Sequence, residues 1–222
     1  MSYSLLVMSK SPERGRVKTR MQPFLTQTQS CQLHIQLTQQ ALQQWIDIDS
    51  LKVELWVGGN IAHFKQQILL PLYQNNVRYQ SLPIYAQAQG DLGQRMHFAT
   101  EHALRAGATG VVVVGTDCPF ISPEYIKKAI QALKQSDVVI GPASDGGYVL
   151  IGIKQSQPAL FSGVKWGSAS VLETTQAMIQ NEQLSVSLLP VLSDIDTPED
   201  LQLLKGELHG IYATVMNETA KE

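Results

Sequence analysis

Short apolar runs alternate with longer stretches of helical spacing along most of the chain, and that alternation predicts its elements. Ser4–Met8 and Leu51–Val57 read as strands, the second closed by Gly58-Gly59. Gly110–Gly115 holds four consecutive valines, Val111 to Val114. Such a run, with no polar position between, suits a strand buried on both faces of a parallel sheet. Further strands are predicted at Val77–Leu82, Asp137–Gly141, Tyr148–Ile153 and Val186–Leu189. Helical spacing runs from Pro23 to Trp45 through Leu25, Leu33, Leu37 and Leu42, and recurs near Ile61–Leu69, over Asp91–Ala106 and over Ala169–Gln180. Ser122-Pro123-Glu124 opens another helix, because serine caps the first free N–H groups and proline lacks the N–H that would be orphaned. Thr197-Pro198-Glu199-Asp200 reads as a last start of the same kind. From His209 onward the periodicity is weak.

Strands alternating with helices predict an α/β chain: a Rossmann-like three-layer sandwich, with a mostly parallel sheet and helices on both faces. No internal repeat or low-complexity linker divides it. The expected organisation is one domain over residues 1–208 with a C-terminal tail at 209–222. In such sheets ligands bind beyond the carboxyl ends of the strands, so candidate chemistry is sought in the loops that leave those ends.

Composition narrows the function classes. Of 222 residues, 44% are hydrophobic and 16% charged, which suits a packed core rather than disorder. The net charge of −2 argues against a general nucleic-acid footprint but leaves room for a local phosphate pocket. No apolar run approaches the roughly 20 residues that span a bilayer. Leu5-Leu6-Val7-Met8 is too short for a signal-peptide core. Cys31 and Cys118 make no disulfide framework, which points to a reducing cytoplasm. The five histidines and two cysteines lack zinc-ligand spacing.

Five cations lie beyond the first strand: Lys10, Arg14, Arg16, Lys18 and Arg20, with Gly15 among them. In a mildly acidic chain they read either as a solvated loop or, given their position, as an anion site. In the second reading Gly15 admits a phosphate to the backbone, Lys18 supplies a point charge and Arg20 forks onto two oxygens. The spacing is not that of a Walker A loop. After the valine strand, Asp117 of Thr116-Asp117-Cys118-Pro119 is either a turn residue or a ligand for Mg²⁺ or Mn²⁺, which favour oxygen donors shared with phosphates. Cys118 reads more readily as a packed thiol than as a nucleophile.

Asp145-Gly146-Gly147-Tyr148 is either a hairpin turn or the approach to a bound substrate. In Ser193-Asp194-Ile195-Asp196, an extended backbone turns Asp194 and Asp196 to one side and Ile195 to the other. Asp196 is therefore a second metal-ligand candidate beside Asp117. Trp166 either covers the core or stacks on a base or sugar. Arg95 lies on the helix after Gly90, where it could face a nucleotide.

Five segments occur in order: Lys10-x-Pro12-x-x-Gly15-x-Val17-Lys18-Thr19-Arg20, Gly90-Asp91-Leu92-Gly93-x-Arg95-Met96, Gly115-Thr116-Asp117-Cys118-Pro119, Asp145-Gly146-Gly147-Tyr148 and Asp196-Thr197-Pro198-Glu199-Asp200-Leu201. Together they resemble the bacterial glycosyltransferase-like family that includes the arsenosugar-biosynthesis glycosyltransferases, within the nucleotide-diphospho-sugar transferase (GT-A) superfamily. The resemblance runs from Ser4 to about Leu204. It implies a nucleotide held by the N-terminal half, with Lys18 and Arg20 on its phosphates; Lys10, Gly15 and Arg95 are the further phosphate-side candidates from the reading of the residues. It also implies a divalent metal, Mg²⁺ or Mn²⁺, on Asp117 and Asp196, and an acceptor side formed by Asp145, Gly146, Gly147 and Tyr148, to which the reading of its loop adds Trp166. The single carboxylate after the central strand departs from the Asp-x-Asp of many such glycosyltransferases and looks more like that of nucleotidyltransferases.

Three functions remain. The first is a metal-dependent glycosyltransferase that moves a sugar from a nucleoside diphosphate to a small-molecule acceptor, with Asp145 as base and Lys18 stabilising the leaving group. The second is a guanylyl- or cytidylyltransferase-like enzyme that joins a nucleoside triphosphate to a phosphorylated small molecule. The third is a non-catalytic nucleotide-binding module. The expected partners are a nucleotide or nucleotide sugar and a small acceptor, with no nucleic acid and no membrane span; a homodimer stays open.

Overall fold

The computed structural model describes residues 2–74, 76–206 and 208–217. Seven strands build one sheet: β1 (Tyr3–Lys10), β2 (Leu51–Gly58), β3 (Ile84–Ala86), β4 (Gly110–Gly115), β5 (Val138–Pro142), β6 (Tyr148–Ile153) and β7 (Val186–Leu188). Their order across the sheet is β3-β2-β1-β4-β6-β5-β7. The pairs β1–β2, β1–β4, β2–β3 and β5–β7 are parallel, and β6 alone runs antiparallel, between β4 and β5.

The helices are α1 (Gln27–Trp45), α2 (Ile61–Phe64), α3 (Leu70–Tyr73), α4 (Leu92–Arg105), α5 (Pro123–Gln135), α6 (Val171–Asn181), α7 (Leu201–Leu204) and α8 (His209–Asn217). The valine run behaves as its pattern requires. Val112 and Val114 enter one core with Leu5 and Val7 of β1, beneath α1 and α5, while Val111 and Val113 enter a second core with Leu6 of β1, beneath α4 and α6. The chain is thus a three-layer α/β sandwich with a mostly parallel sheet.

Local sequence sets the starts of the longer helices α1, α4 and α5. Thr26 and Gln29 form a reciprocal capping box on α1, and Asp91 and Gln94 form one on α4. Ser122 caps α5, with Pro123 in its first turn.

Three expectations fail at this level. Val77–Leu82 is not a strand: Asn76 accepts from the Arg78 N–H, and residues 77–81 wind into a 3-10 turn that buries only Tyr79. The third strand is the short edge segment β3 instead. Thr197 does not start a helix as Ser122 does. Asp200 Oδ2 accepts from the N–H groups of Asp196 and Thr197 and from the Thr197 hydroxyl, which makes residues 196–200 a tight turn and delays α7 to Leu201. Residues 209–217 form a helix despite their weak periodicity. Val215 of α8 joins Met21, Leu25, Leu33, Leu37, Ile195, Leu201 and Leu204 in a third, separate apolar cluster. Residues 218–222 of the expected tail lie outside the described residues.

Candidate active site

That third cluster positions the site. Met21 lies three residues beyond Lys18 and Ile195 one residue before Asp196, and both are fully buried in it. The loop after β1 and the segment after β7 are therefore seated on the same apolar contact. The Ile195 N–H also donates to the Asp117 carbonyl at 3.0 Å, tying the segment to the tip of β4. Below, the hydroxyls of Ser9, Thr38 and Thr116 link β1, α1 and β4.

A cavity of about 520 Å³ opens at the carboxyl ends of β1 and β4. Lys10, Lys18, Arg20, Arg95, Asp117, Asp145, Gly147, Tyr148, Trp166 and Asp196 all line it. The structure thus brings most of the singled-out residues around one space. Gly15 and Gly146 are not on its surface. Gly15 has a φ of 74° and faces the Gln27 side chain, so it turns the loop rather than cradling a ligand. Gly146 has a φ of 87°, and a β-carbon there would overlap the Ala169 carbonyl oxygen. It holds the β5–β6 turn against the segment before α6.

At the centre stands the Lys18 ammonium. It lies 2.5 Å from Asp117 Oδ1, 2.9 Å from Asp196 Oδ1 and donates to the Ile195 carbonyl at 2.8 Å. Its side chain is 3% exposed, whereas those of Asp117 and Asp196 are 47% and 35% exposed. Burial alone would discharge Lys18. The two carboxylates outweigh it and hold the ammonium above the ordinary lysine range. Enclosure favours the acid form of Asp117, yet the Lys18 ammonium keeps that carboxylate below its ordinary range. The Lys18 backbone is left-handed, with φ 48° and ψ 40°, a conformation that costs a non-glycine residue about 1 kcal/mol. Three polar contacts at the end of its side chain offset that cost.

Arg20 is mostly exposed and lies 3.8 Å from Asp196 Oδ2. Arg95 donates from Nε to the Gly90 carbonyl, which leaves the rest of its guanidinium toward the cavity. Asp145 Oδ1 accepts from the Gly147 N–H, so the segment is at once a turn and part of the cavity wall. Trp166 serves in both ways: it packs edge-on to Tyr148 and against Gly93, and it lines the cavity. Arg14 is exposed and Arg16 pairs with Glu13, so these two cations of the first loop stand apart from the central group.

Two residues that the sequence pattern did not single out belong to this group. Asp194 lines the cavity beside Asp196, with Ile195 turned into the apolar cluster between them. Burial, together with the neighbouring Asp117 and Asp196 charges, pushes its carboxyl up to about 7. The alternation of the segment already placed Asp194 on the side of Asp196. His34 lines the cavity floor and donates from Nε2 to the Lys10 carbonyl at 2.9 Å. Burial lowers its pKa, which favours the neutral ring. Nothing in a glutamine-rich helix pattern marks it. Cys118 is buried, and burial pushes its thiol up to about 12, so it lacks the thiolate a nucleophile needs.

Among the described residues, no group of three or more His, Cys, Asp or Glu side chains is arranged to hold a metal ion. Asp117 and Asp196 do converge, and the cation between them is Lys18.

A family described as an uncharacterized protein conserved in bacteria, DUF2064, matches residues 41–168. Among solved structures, the chain is similar to a candidate nucleotide-diphospho-sugar transferase from Desulfovibrio desulfuricans G20. The TM-score is 0.83 and the identity 29%, over 97% of this chain and 95% of that one. A manganese complex of Rv0371c from Mycobacterium tuberculosis H37Rv has a TM-score of 0.55 and 16% identity, over 92% of this chain and 98% of that one. CMP:2-keto-3-deoxy-manno-octonic acid synthetase complexed with CTP gives 0.58 and 9%, over 95% and 99%. The last two share the fold. No curated protein matches the sequence. No helix among the described residues is long and apolar enough to cross a membrane.

Proposed function

The chain belongs to the DUF2064 family of bacterial proteins, and from that premise we propose that it is a transferase that takes a sugar from a nucleoside diphosphate sugar and passes it to a small-molecule acceptor. The observation that carries the reading is the cavity at whose centre the Lys18 ammonium bridges Asp117 and Asp196, with Lys10 and Arg20 also on its wall. A diphosphate entering that cavity meets the exposed cations Lys10 and Arg20. Arg20 offers a fork suited to two phosphate oxygens.

Asp117 and Asp196 also supply the oxygen donors that Mg²⁺ or Mn²⁺ takes, and two protein carboxylates with substrate phosphate oxygens are a set Mg²⁺ commonly uses. These two residues would hold the ion. When bound, it would neutralise charge that grows on the departing diphosphate. Lys18 and Arg20 stabilise the same charge from the protein side. Asp145, which also lines the cavity, takes the acceptor hydroxyl proton. Trp166 and Tyr148 present apolar surface to the sugar or acceptor. The finer assignment, to the arsenosugar-biosynthesis type, rests on the five ordered sequence segments.

A second reading, nucleotidyl transfer, draws support from the single carboxylate in Thr116-Asp117-Cys118-Pro119. There a phosphate nucleophile, already ionised, attacks the α-phosphorus of a triphosphate, and Asp145 is dispensable. Thermal unfolding with Mg²⁺ across nucleoside diphosphate sugars and nucleoside triphosphates separates the two. A ligand at 100 times its Kd stabilises by about 2.7 kcal/mol. Protection by diphosphate sugars supports glycosyl transfer; protection confined to triphosphates overturns it in favour of the second reading.

A further inference from the structure

Lys18 is asked to serve a phosphate, yet its ammonium has nothing left to give. An ammonium carries three N–H donors, and three acceptors already surround this one: Asp117 Oδ1, Asp196 Oδ1 and the Ile195 carbonyl. The side chain is 3% exposed, whereas Arg20 beside it is 58% exposed. Lys18 also takes the Oδ1 atoms of both carboxylates, so it stands at the point where a cation shared by the pair would sit. Two cations cannot occupy that point together.

Resting on the reading of that pair as metal ligands, we propose that Lys18 is the resident counter-ion of Asp117 and Asp196, and that a divalent cation binding there displaces its ammonium into the cavity, where it becomes a phosphate ligand. The exchange sets an order. Before it, the cavity cations that can meet an incoming diphosphate are Lys10, Arg20 and Arg95. After it, Lys18 joins them. The pair stays neutralised at every stage, which spares the fold two adjacent uncompensated carboxylates. The geometry allows the movement: the lysine stem is flexible over four carbons, and the polar contacts that hold the side chain all lie at its terminal nitrogen. Each cation weakens the other's hold on the pair, a reciprocal coupling between two ligands of one site.

The test uses the wild-type protein and Mn²⁺ alone. Limited acetylation with acetic anhydride, read by peptide mass spectrometry, follows Lys18 against the exposed Lys127 and Lys128 as internal standards. Lys18 is expected to be protected without metal and to become reactive as Mn²⁺ saturates, while the two standards stay constant. In parallel, free Mn²⁺ is titrated by electron paramagnetic resonance. Lys18→Gln is expected to bind Mn²⁺ roughly tenfold more tightly than wild type, within the usual range of such couplings. Equal or weaker Mn²⁺ binding by Lys18→Gln overturns the proposal. Should that variant fail to fold, the labelling decides alone: Lys18 equally protected at saturating Mn²⁺ overturns it. If Mn²⁺ binds and Asp117→Asn abolishes that binding, the metal reading stands even when the exchange fails. If wild type binds no Mn²⁺ at all, both fall.

Discussion

Replacing Ile195 by alanine probes how an apolar cluster holds a polar site. Ile195 is fully buried, and its cluster includes Met21 from the Lys18 loop and Val215 from α8. The substitution removes three carbons, worth roughly 2.4 kcal/mol at about 0.8 kcal/mol each. The residual cavity adds to that, and measured Ile→Ala costs run at about 2–5 kcal/mol. A loss near 3 kcal/mol is therefore expected. For a chain of this size it corresponds to a fall of roughly 6–12 °C in the thermal midpoint. The backbone N–H of Ile195 meets the Asp117 carbonyl and its own carbonyl meets Lys18, so a shifted segment also loosens the ion pairs. Nucleotide affinity is then expected to fall with stability. Urea unfolding and calorimetric titration measure the two, with Leu203→Ala as the control, since Leu203 is 45% exposed. The reasoning is refuted if Ile195→Ala costs under about 1 kcal/mol, no more than an exposed site would.

His34 makes stability depend on pH. Its folded pKa lies below the ordinary 6.5 because burial disfavours the charged ring. Between the folded value and 6.5 the unfolded chain binds more protons, so stability rises with pH there and is lost as pH falls below 6.5. His34→Gln, which keeps a donor for the Lys10 carbonyl, is expected to flatten that part of the urea-unfolding profile; an unchanged slope between pH 5 and 7 would count against it. Gly146→Ala meets both a positive φ and the Ala169 carbonyl oxygen, so it should destabilise by about 1–3 kcal/mol, and a neutral result by calorimetry would contradict the assignment. Cys118, buried with its thiol raised to about 12, should resist iodoacetamide at pH 7.5 in the folded protein. Rapid alkylation there would reopen a thiolate chemistry.

The sheet was legible where pattern and burial coincide. The valine run of β4 announces a strand covered on both faces, and the capped starts of α4 and α5 announce themselves through Asp91 and Ser122. What escaped depends on contacts distant in sequence. Nothing in Tyr148–Ile153 says that β6 runs antiparallel; the short β5–β6 turn through Asp145-Gly146-Gly147 does, once recognised as a hairpin. Asn76 and Asp200 divert their segments through local side-chain hydrogen bonds that compete with strand and helix. α8 is held by a cluster assembled from distant parts of the chain, which periodicity alone cannot register. At the site, position after a strand pointed to Lys18, Asp117 and Asp196. It did not reveal that the lysine bridges the two carboxylates, because a bridge over 178 positions is visible only in three dimensions. His34 stayed hidden for the same reason.

The central claim is that Lys18 and Asp117 act on one phosphate-bearing ligand. A double-mutant cycle tests it most directly, with Lys18→Gln, Asp117→Asn and the pair together titrated calorimetrically against the nucleoside diphosphate that protects wild type best in Mg²⁺. The account predicts strong non-additivity, with a coupling of at least about 1 kcal/mol, as expected of residues sharing one network. Losses that add to within about 0.5 kcal/mol, the behaviour of independent sites, would contradict it.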